Sequence, residues 1–182
     1  MPTASEELRA SFKLAMRRFP AAVSVITSAD QTRQHGMTAT AVTSLSLDPP
    51  SLIVCVNRST LLHDIILQGR HFCVNILRKD QAELSSAFGG AVAPEARFGC
   101  GNWLMSAEGV SYLADAQANI FCRKVAAVPY GTHTIFIGEV AAAKISDPIE
   151  PLIYQDATYC VSVARETVVA GAESANSRAV NR

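Results

Sequence analysis

Residues 36–63 read GMTATAVTSLSLDPPSLIVCVNRSTLLH, and the fold class turns on this stretch. Thr38, Thr40, Thr43, Ser44 and Ser46 are interleaved with Ala39, Ala41, Val42, Leu45 and Leu47. Such a run of hydroxyl, small and β-branched side chains predicts one strand. Asp48-Pro49-Pro50 ends it, because proline withdraws a ladder donor and favours a turn. Ser51 to Val56 predicts a second, buried strand. Asn57-Arg58-Ser59-Thr60 then stands where a helix should open. Leu61, Leu62, Ile65 and Ile66 make its apolar face, and Gly69 closes it.

Working outward, the N-terminal side predicts a helix capped by Ser5. Its stripe Leu8, Phe12, Ala15 and Phe19 is read as core, and Pro20 stops it. Ala22–Ser28 is a first strand. On the C-terminal side His71–Leu77 alternates as a strand, and Asp80 with Glu83 resembles a capping box opening a short helix through Phe88. Residues 89–103, GGAVAPEARFGCGNW, predict a glycine-rich, mobile loop. Ala118–Pro129 and Thr132–Lys144 form a hairpin about Tyr130-Gly131. Pro151–Tyr154 and Thr158–Val163 are the last strands. Residues 165–182 lack periodicity and read as a disordered tail behind one domain over residues 1–164. Helices do not alternate with every strand. The class is therefore β-rich α+β, with antiparallel strands in a closed or split barrel rather than a doubly wound sheet.

Composition excludes several functions. The 182 residues carry 16 basic and 16 acidic side chains, which leaves no electrostatic footprint for nucleic acid or an anionic membrane. No apolar run is long enough to span a bilayer, and the N-terminus lacks the apolar core of a signal peptide. Five cysteines are an odd number without C-x-x-C spacing, so reduced thiols in a cytoplasmic protein are expected, with no metal site. No P-loop and no strand-linked G-x-G-x-x-G occurs, so a nucleotide must be held by other means.

Asn57–Thr60 offers such means. A helix N-terminus presents unpaired N–H groups and partial positive charge to a phosphate. Asn57, Ser59 and Thr60 can add side-chain donors and Arg58 a full charge. The plain alternative is that Ser59 or Thr60 only caps the helix. His63, one turn on, is either near a ligand or a solvated helix histidine. Glu139, on the same strand face as His133, is read as structural.

The succession G-M-T-A-T-A-V-T-S-L-S-L-D-P-P, C-V-N-R-S-T and G-T-H-T-I-F-I-G-E-V resembles the flavin reductase family of two-component flavin-dependent monooxygenases, over roughly residues 8–163. It is similar to the reductase partners of 4-hydroxyphenylacetate and phenol hydroxylases. The resemblance implies an FMN-binding split barrel, a homodimer, and hydride transfer from NADH, alternatively NADPH, to FMN, FAD or riboflavin. Reduced flavin would pass to a separate flavin-dependent oxygenase. It further implies that Thr38, Ala39, Thr40 and Ala41 line the flavin ring. Thr43, Ser44, Asn57, Ser59 and Thr60 would hold the ribityl chain and phosphate, with Cys55, Val56 and His63 nearby. Phe88 and Phe98 either cover the flavin or fill a satellite core. His133 and Tyr159 would position the nicotinamide, His133 as the catalytic residue. Gly131-Thr132-His133 replaces the frequent G-D-H. Gln155-Asp156-Ala157-Thr158 has no base to meet the 2′-phosphate of NADPH. Alternatives are a non-catalytic flavin- or haem-binding barrel, and an oxidase of pyridoxamine phosphate type, which should carry more Arg and Lys than the single Arg58.

Overall fold

In the computed structural model, which describes residues 3–163, the predicted strand 38–47 is two strands. β3 (Gln34–Ala39) and β4 (Val42–Leu47) are separated by Thr40-Ala41. They occupy the two opposite edges of a seven-stranded antiparallel sheet. Between them lie, in order from β3, β2 (Ser24–Ala29), β6 (His71–Ile76), β9 (Ala118–Tyr130), β10 (His133–Ile145) and β5 (Pro50–Asn57). Six inter-strand steps would make a flat sheet about 29 Å wide. The three residue steps from Ala39 to Val42 reach at most about 11 Å. The sheet must therefore curl until its edges nearly meet, and the result is a barrel split between β3 and β4.

The remaining strands close the ends. β1 (Ala21–Ala22), β11 (Leu152–Gln155) and β12 (Thr158–Val161) form a three-stranded sheet, and β7 (Trp103–Met105) pairs with β8 (Ser111–Leu113). The expected strand Ala22–Ser28 is broken at Val23. Its N–H bonds Leu152 and its carbonyl bonds Leu77, so the chain changes partners there.

Strand alternation builds the core. Leu52, Val54 and Val56 of β5 point inward against Ile26, Phe72, Val74 and Phe136. β5 thus alternates rather than being buried on both faces; β2, buried from Ser24 to Ser28, comes closer to that description. Gly138 lies where an added Cβ would overlap the Phe72 ring and sit 2.8 Å from Cys122 Cβ, so β10 needs glycine at this crossing. Helix α2 (Leu61–Gln68) packs on β2, β3 and β5 through Leu62, Ile65 and Ile66, and Gly69 ends it as predicted. Each such fully buried side chain contributes about 1.5–3 kcal/mol. Lys124 Nζ donates to the carbonyls of Ile66 and Leu67 and so caps the C-terminus of α2.

Four local expectations are corrected. Helix α1 (Ala4–Met16) is capped by Thr3, not Ser5: Thr3 Oγ1 accepts from Glu6 N–H while Glu6 Oε2 accepts from Thr3 N–H. Its apolar stripe is not core, since Leu8 is 71% and Phe12 64% exposed. The stripe is present, but one chain brings nothing to cover it. Helix α3 (Ala82–Ser86) starts after Gln81 without a capping box, because the Gln81 side chain turns back to accept from Arg78 N–H. The predicted loop 89–103 is largely helical turns, a π turn over Ala87–Ala91 and a 3₁₀ turn over Pro94–Gly99. The predicted tail 165–182 lies outside the described residues.

Candidate active site

The split in the barrel and the ends of its edge strands bring the candidate residues into two neighbouring groups. The first is a cleft of about 500 Å³ between the end of β3, α3 and the β11–β12 hairpin. Thr38, Ala39 and Thr40 form one wall, Ser85 and Ser86 another, and Tyr154 and Tyr159 a third. The two tyrosines meet edge to face at 5.5 Å. No Lys, Arg, Asp, Glu or His side chain lines the cleft among the described residues. Its size falls in the range of small-molecule sites, and its uncharged, partly aromatic wall suits a flat ring.

The second group is the turn Asn57–Thr60 with His133. Register makes this juxtaposition: Asn57 of β5 is paired with His133 of β10, and Arg58 N–H donates to Thr132 O at 2.9 Å. His133 is exposed, with Nδ1 2.9 Å from Thr132 Oγ1. Thr60 is the N-cap of α2, and its Oγ1 donates to Asn57 O at 2.8 Å. Asn57 Oδ1 accepts from both Ser59 N–H (3.0 Å) and Ser59 Oγ (2.9 Å). The hydroxyl protons of Ser59 and Thr60 are thus spent inside the turn. The side-chain donors of the turn that these bonds leave free are the Asn57 amide N–H groups and the Arg58 guanidinium.

The two groups are joined by the edge crossing. Thr40 lines the cleft, and Ala41 O accepts from Cys55 N–H at 3.0 Å. Cys55 is two residues, about 7 Å of strand, from Asn57. Thr43 and Ser44 lie on exposed β4 beyond the crossing, and Cys55 is half-buried.

Other candidates are placed elsewhere. Val56 is fully buried in the core, so its side chain meets no ligand. His63 is not a solvated helix histidine. It is 7% exposed, its Nε2 lies 2.9 Å from Thr134 Oγ1, its Nδ1–H faces Asp64, and its ring packs on Phe136. An α2 histidine on the same face as Ile66 is carried into the barrel wall with it. Phe88 is 1% exposed and clusters with Phe98 and Trp103 at centroid distances of 5.0–5.4 Å. Phe88 is buried within this cluster and Phe98 is half-buried against it, and neither lines the cleft. Glu139 pairs with Arg123 at 3.0 Å, in keeping with a structural role.

Ser85, Ser86 and Tyr154 are cleft residues that the sequence reading missed. The available signal was a pair of small hydroxyl residues just before Phe88-Gly89-Gly90, where helix geometry is about to change. A larger depression of about 720 Å³ lies at the other end of β2 and β3, between Ala29–Arg33, Gln68–His71 and Glu108–Val110. Its walls are charged loops, and it contains none of the candidate residues.

The thiols and one histidine show how the interior treats charge. Burial pushes the Cys122 thiol up to about 12 and that of Cys73 higher still, so neither is a nucleophile. All five cysteines are unpaired, and no group of side chains able to hold a metal occurs among the described residues. His35, 5% exposed on β3, titrates below its usual range because of burial and then the Arg97 charge. Arg97 Nη1 donates to His35 Nε2 at 3.3 Å and to Gly36 O at 3.1 Å.

A protein-family model for the flavin reductase like domain matches residues 16–162. The chain belongs to the flavin reductase family. This flavin reductase is 52% identical over 162 residues to the reductase component of the FADH(2)-dependent resorcinol hydroxylase of Rhizobium sp. (strain MTP-10005), covering 87% of this chain and 90% of that protein. It is 38% identical over 151 residues to the FMN reductase (NADH) RutF of Variovorax paradoxus (strain S110), covering 83% and 84%. Among solved structures, the flavin reductase PheA2 in its native state superposes on it with a TM-score of 0.77 at 34% identity, covering 85% of this chain and 98% of that one. The family resemblance and the split-barrel class read from the sequence both hold. No helix of this flavin reductase is long and apolar enough to cross a membrane among the described residues.

Proposed function

We propose that this flavin reductase takes hydride from NADH to FMN or FAD and passes the reduced flavin to a separate monooxygenase. The observation that carries the reading is the union of two unlike surfaces across Thr40-Ala41: an uncharged cleft for a ring, and a donor-rich turn beside His133 for a phosphate. A flavin, when bound, supplies a hydride acceptor to a nicotinamide donor. The residues supply the rest. Thr38, Ala39, Thr40 and Ala41 form the wall against which the ring lies. Asn57 and Arg58 at the start of α2 meet the phosphate, helped by the partial positive charge there. His133 and Tyr159 orient the nicotinamide from opposite ends of the site. No acid–base triad is required, since ring stacking at near-attack distance and uncharged donors suffice.

NADH is preferred over NADPH in this reading. The β11–β12 turn carries Asp156, which faces Arg17 at 3.9 Å, and no free base stands beside it in the turn itself. The relatives named for resorcinol hydroxylase and for NADH-dependent FMN reduction support both the donor and the delivery role. Unpaired cysteines support a reducing, cytoplasmic setting. The exposed stripe of α1 supports a homodimer, because Leu8, Phe12 and Phe19 are each more than 60% exposed.

The deciding experiment follows the near-ultraviolet absorbance of NADH with purified protein, with and without FMN, FAD or riboflavin, and again with NADPH. Flavin-dependent oxidation of NADH, faster than that of NADPH, is the expected outcome. Flavin binding without turnover would instead assign the non-catalytic alternative.

A further inference from the structure

His63 is the one polar residue that α2 buries, beside Leu62, Ile65 and Ile66. Asp64 Oδ1 lies 3.1 Å from its Nδ1. A carboxylate only accepts, so Nδ1 carries the proton and Nε2 accepts from Thr134 Oγ1 at 2.9 Å. Thr134, on β10, is 3% exposed. Theirs is the only side-chain hydrogen bond between α2 and β10 among the described residues. Its two ends stand next to the two parts of the second site group. Thr134 follows His133 in the chain and pairs with Val56, the residue before Asn57. The His63 N–H meets Thr60, the N-cap of α2, at its carbonyl and at Oγ1.

The setting of this bond is apolar. The His63 ring packs on Phe136, which shares one core cluster with Val56, Leu62 and Ile66. A neutral hydroxyl–imidazole bond gains little stability there, because both groups give up water, and an apolar pair of the same shape would be nearly neutral. It supplies direction instead. Apolar faces can slide and turn against each other, whereas a hydrogen bond fixes a distance and an angle. We propose that His63 and Thr134 are a positioning pair that holds the first turn of α2 in register with His133. This rests on the reductase reading above, in which that turn meets the flavin phosphate and His133 the nicotinamide. The pair then fixes where the phosphate end of the flavin stands relative to the hydride donor. Both residues act through their neighbours, His63 through Asn57–Thr60 and Thr134 through His133.

The test uses His63→Leu, Thr134→Val and the double variant, apolar replacements of similar size that should leave the melting temperature nearly unchanged. Amide hydrogen exchange of the ligand-free protein comes first. Either variant should speed exchange across residues 58–63 by about three- to tenfold, the worth of one neutral hydrogen bond, and leave β2 and β6 as in wild type. NADH oxidation by wild type with FMN tests the reductase reading on its own. Its absence would remove that reading and leave exchange to judge the pair. With turnover established, each variant should weaken FMN more than riboflavin and lower kcat/KM for NADH by about three- to tenfold. The double variant should be no worse than either single one, since both remove the same bond. His63→Gln, whose side-chain carbonyl can accept from Thr134, should recover most of the loss. Wild-type exchange at the turn in both variants, equal weakening of FMN and riboflavin, or losses that add in the double variant would each overturn the proposal. A lowered melting temperature with faster exchange throughout the barrel would overturn it too, by reducing His63 to core packing.

Discussion

At His133 the site's chemistry depends on a strand register. Nothing in the side chain distinguishes it from any exposed histidine, but pairing with Asn57 sets it beside the turn Asn57–Thr60. His133→Ala should therefore lower kcat/KM for NADH by about ten- to a hundredfold through lost orientation, with flavin affinity little changed. Stopped-flow reduction alongside flavin titration separates the two, and equal losses in both would remove the nicotinamide role. In the proposed function Asn57 meets the other half of the ligand, and Ser59 fixes its side chain through two hydrogen bonds. Asn57→Ala with Ser59→Ala should weaken FMN about ten- to a hundredfold, the worth of charge-assisted hydrogen bonds, and leave riboflavin nearly untouched. Equal weakening of the two would show that these residues do not meet the phosphate. Both residue types were legible in sequence. That the Ser59 and Thr60 hydroxyl protons are consumed within the turn was not, because an Asx turn and an N-cap use the same residues that bind phosphate.

Elements add constraints that no single residue carries. The 3₁₀ turn Pro94–Gly99 is latched to β3 by Arg97, which donates to His35 Nε2 and Gly36 O. Arginine cannot accept, so His35 must be the Nδ1–H neutral tautomer while the latch is closed. The groups facing His35 are Arg97, which repels its proton, and Glu95, which attracts it; burial outweighs both. Its folded value lies below the usual 6.5. Above pH 6.5 neither state is protonated and the latch contributes in full. As pH falls through 6.5, the unfolded chain takes up the proton first, so stability is lost toward acid. Melting temperature measured at intervals below pH 6.5 should fall in wild type, and His35→Gln, which keeps an acceptor for Arg97, should flatten that slope. An unchanged slope would show that His35 does not govern it. The aromatic cluster behind the latch was half legible: Phe88 and Phe98 stood out as residues, but only the helical turns Ala87–Ala91 and Pro94–Gly99 bring them together against Trp103.

The whole molecule is organised by an edge crossing of two residues, Thr40-Ala41, which forces seven strands into a split barrel and joins the cleft to the strand that leads into the turn Asn57–Thr60. The same economy leaves α1 outside. Its stripe satisfies the periodicity of a core helix, yet none of its residues is buried in the single chain. Burying one Phe is worth about 1.5–3 kcal/mol, which is the gain the proposed homodimer would draw from this stripe. Phe12→Asp should shift the protein from dimer to monomer in sedimentation velocity. A wild-type monomer, or a variant that stays dimeric, would mean that α1 is not the interface.

Local chemistry in the sequence was enough for the strand types, the helix after Thr60, the β9–β10 hairpin and the family, because propensity, capping and turn residues act over a few positions. It was also enough to single out Thr38, Ala39, Thr40 and Tyr159 of the cleft wall and the turn Asn57–Thr60 as candidates. Pairing and burial were not local. Whether Thr38–Leu47 is one strand or two, whether His63 and Val56 look outward or into the barrel, and whether Ser85 shares a cleft with Tyr159, 74 residues away, depend on which segments lie side by side. Those contacts are selected by closing the sheet around one core, and no short window of sequence contains that free energy.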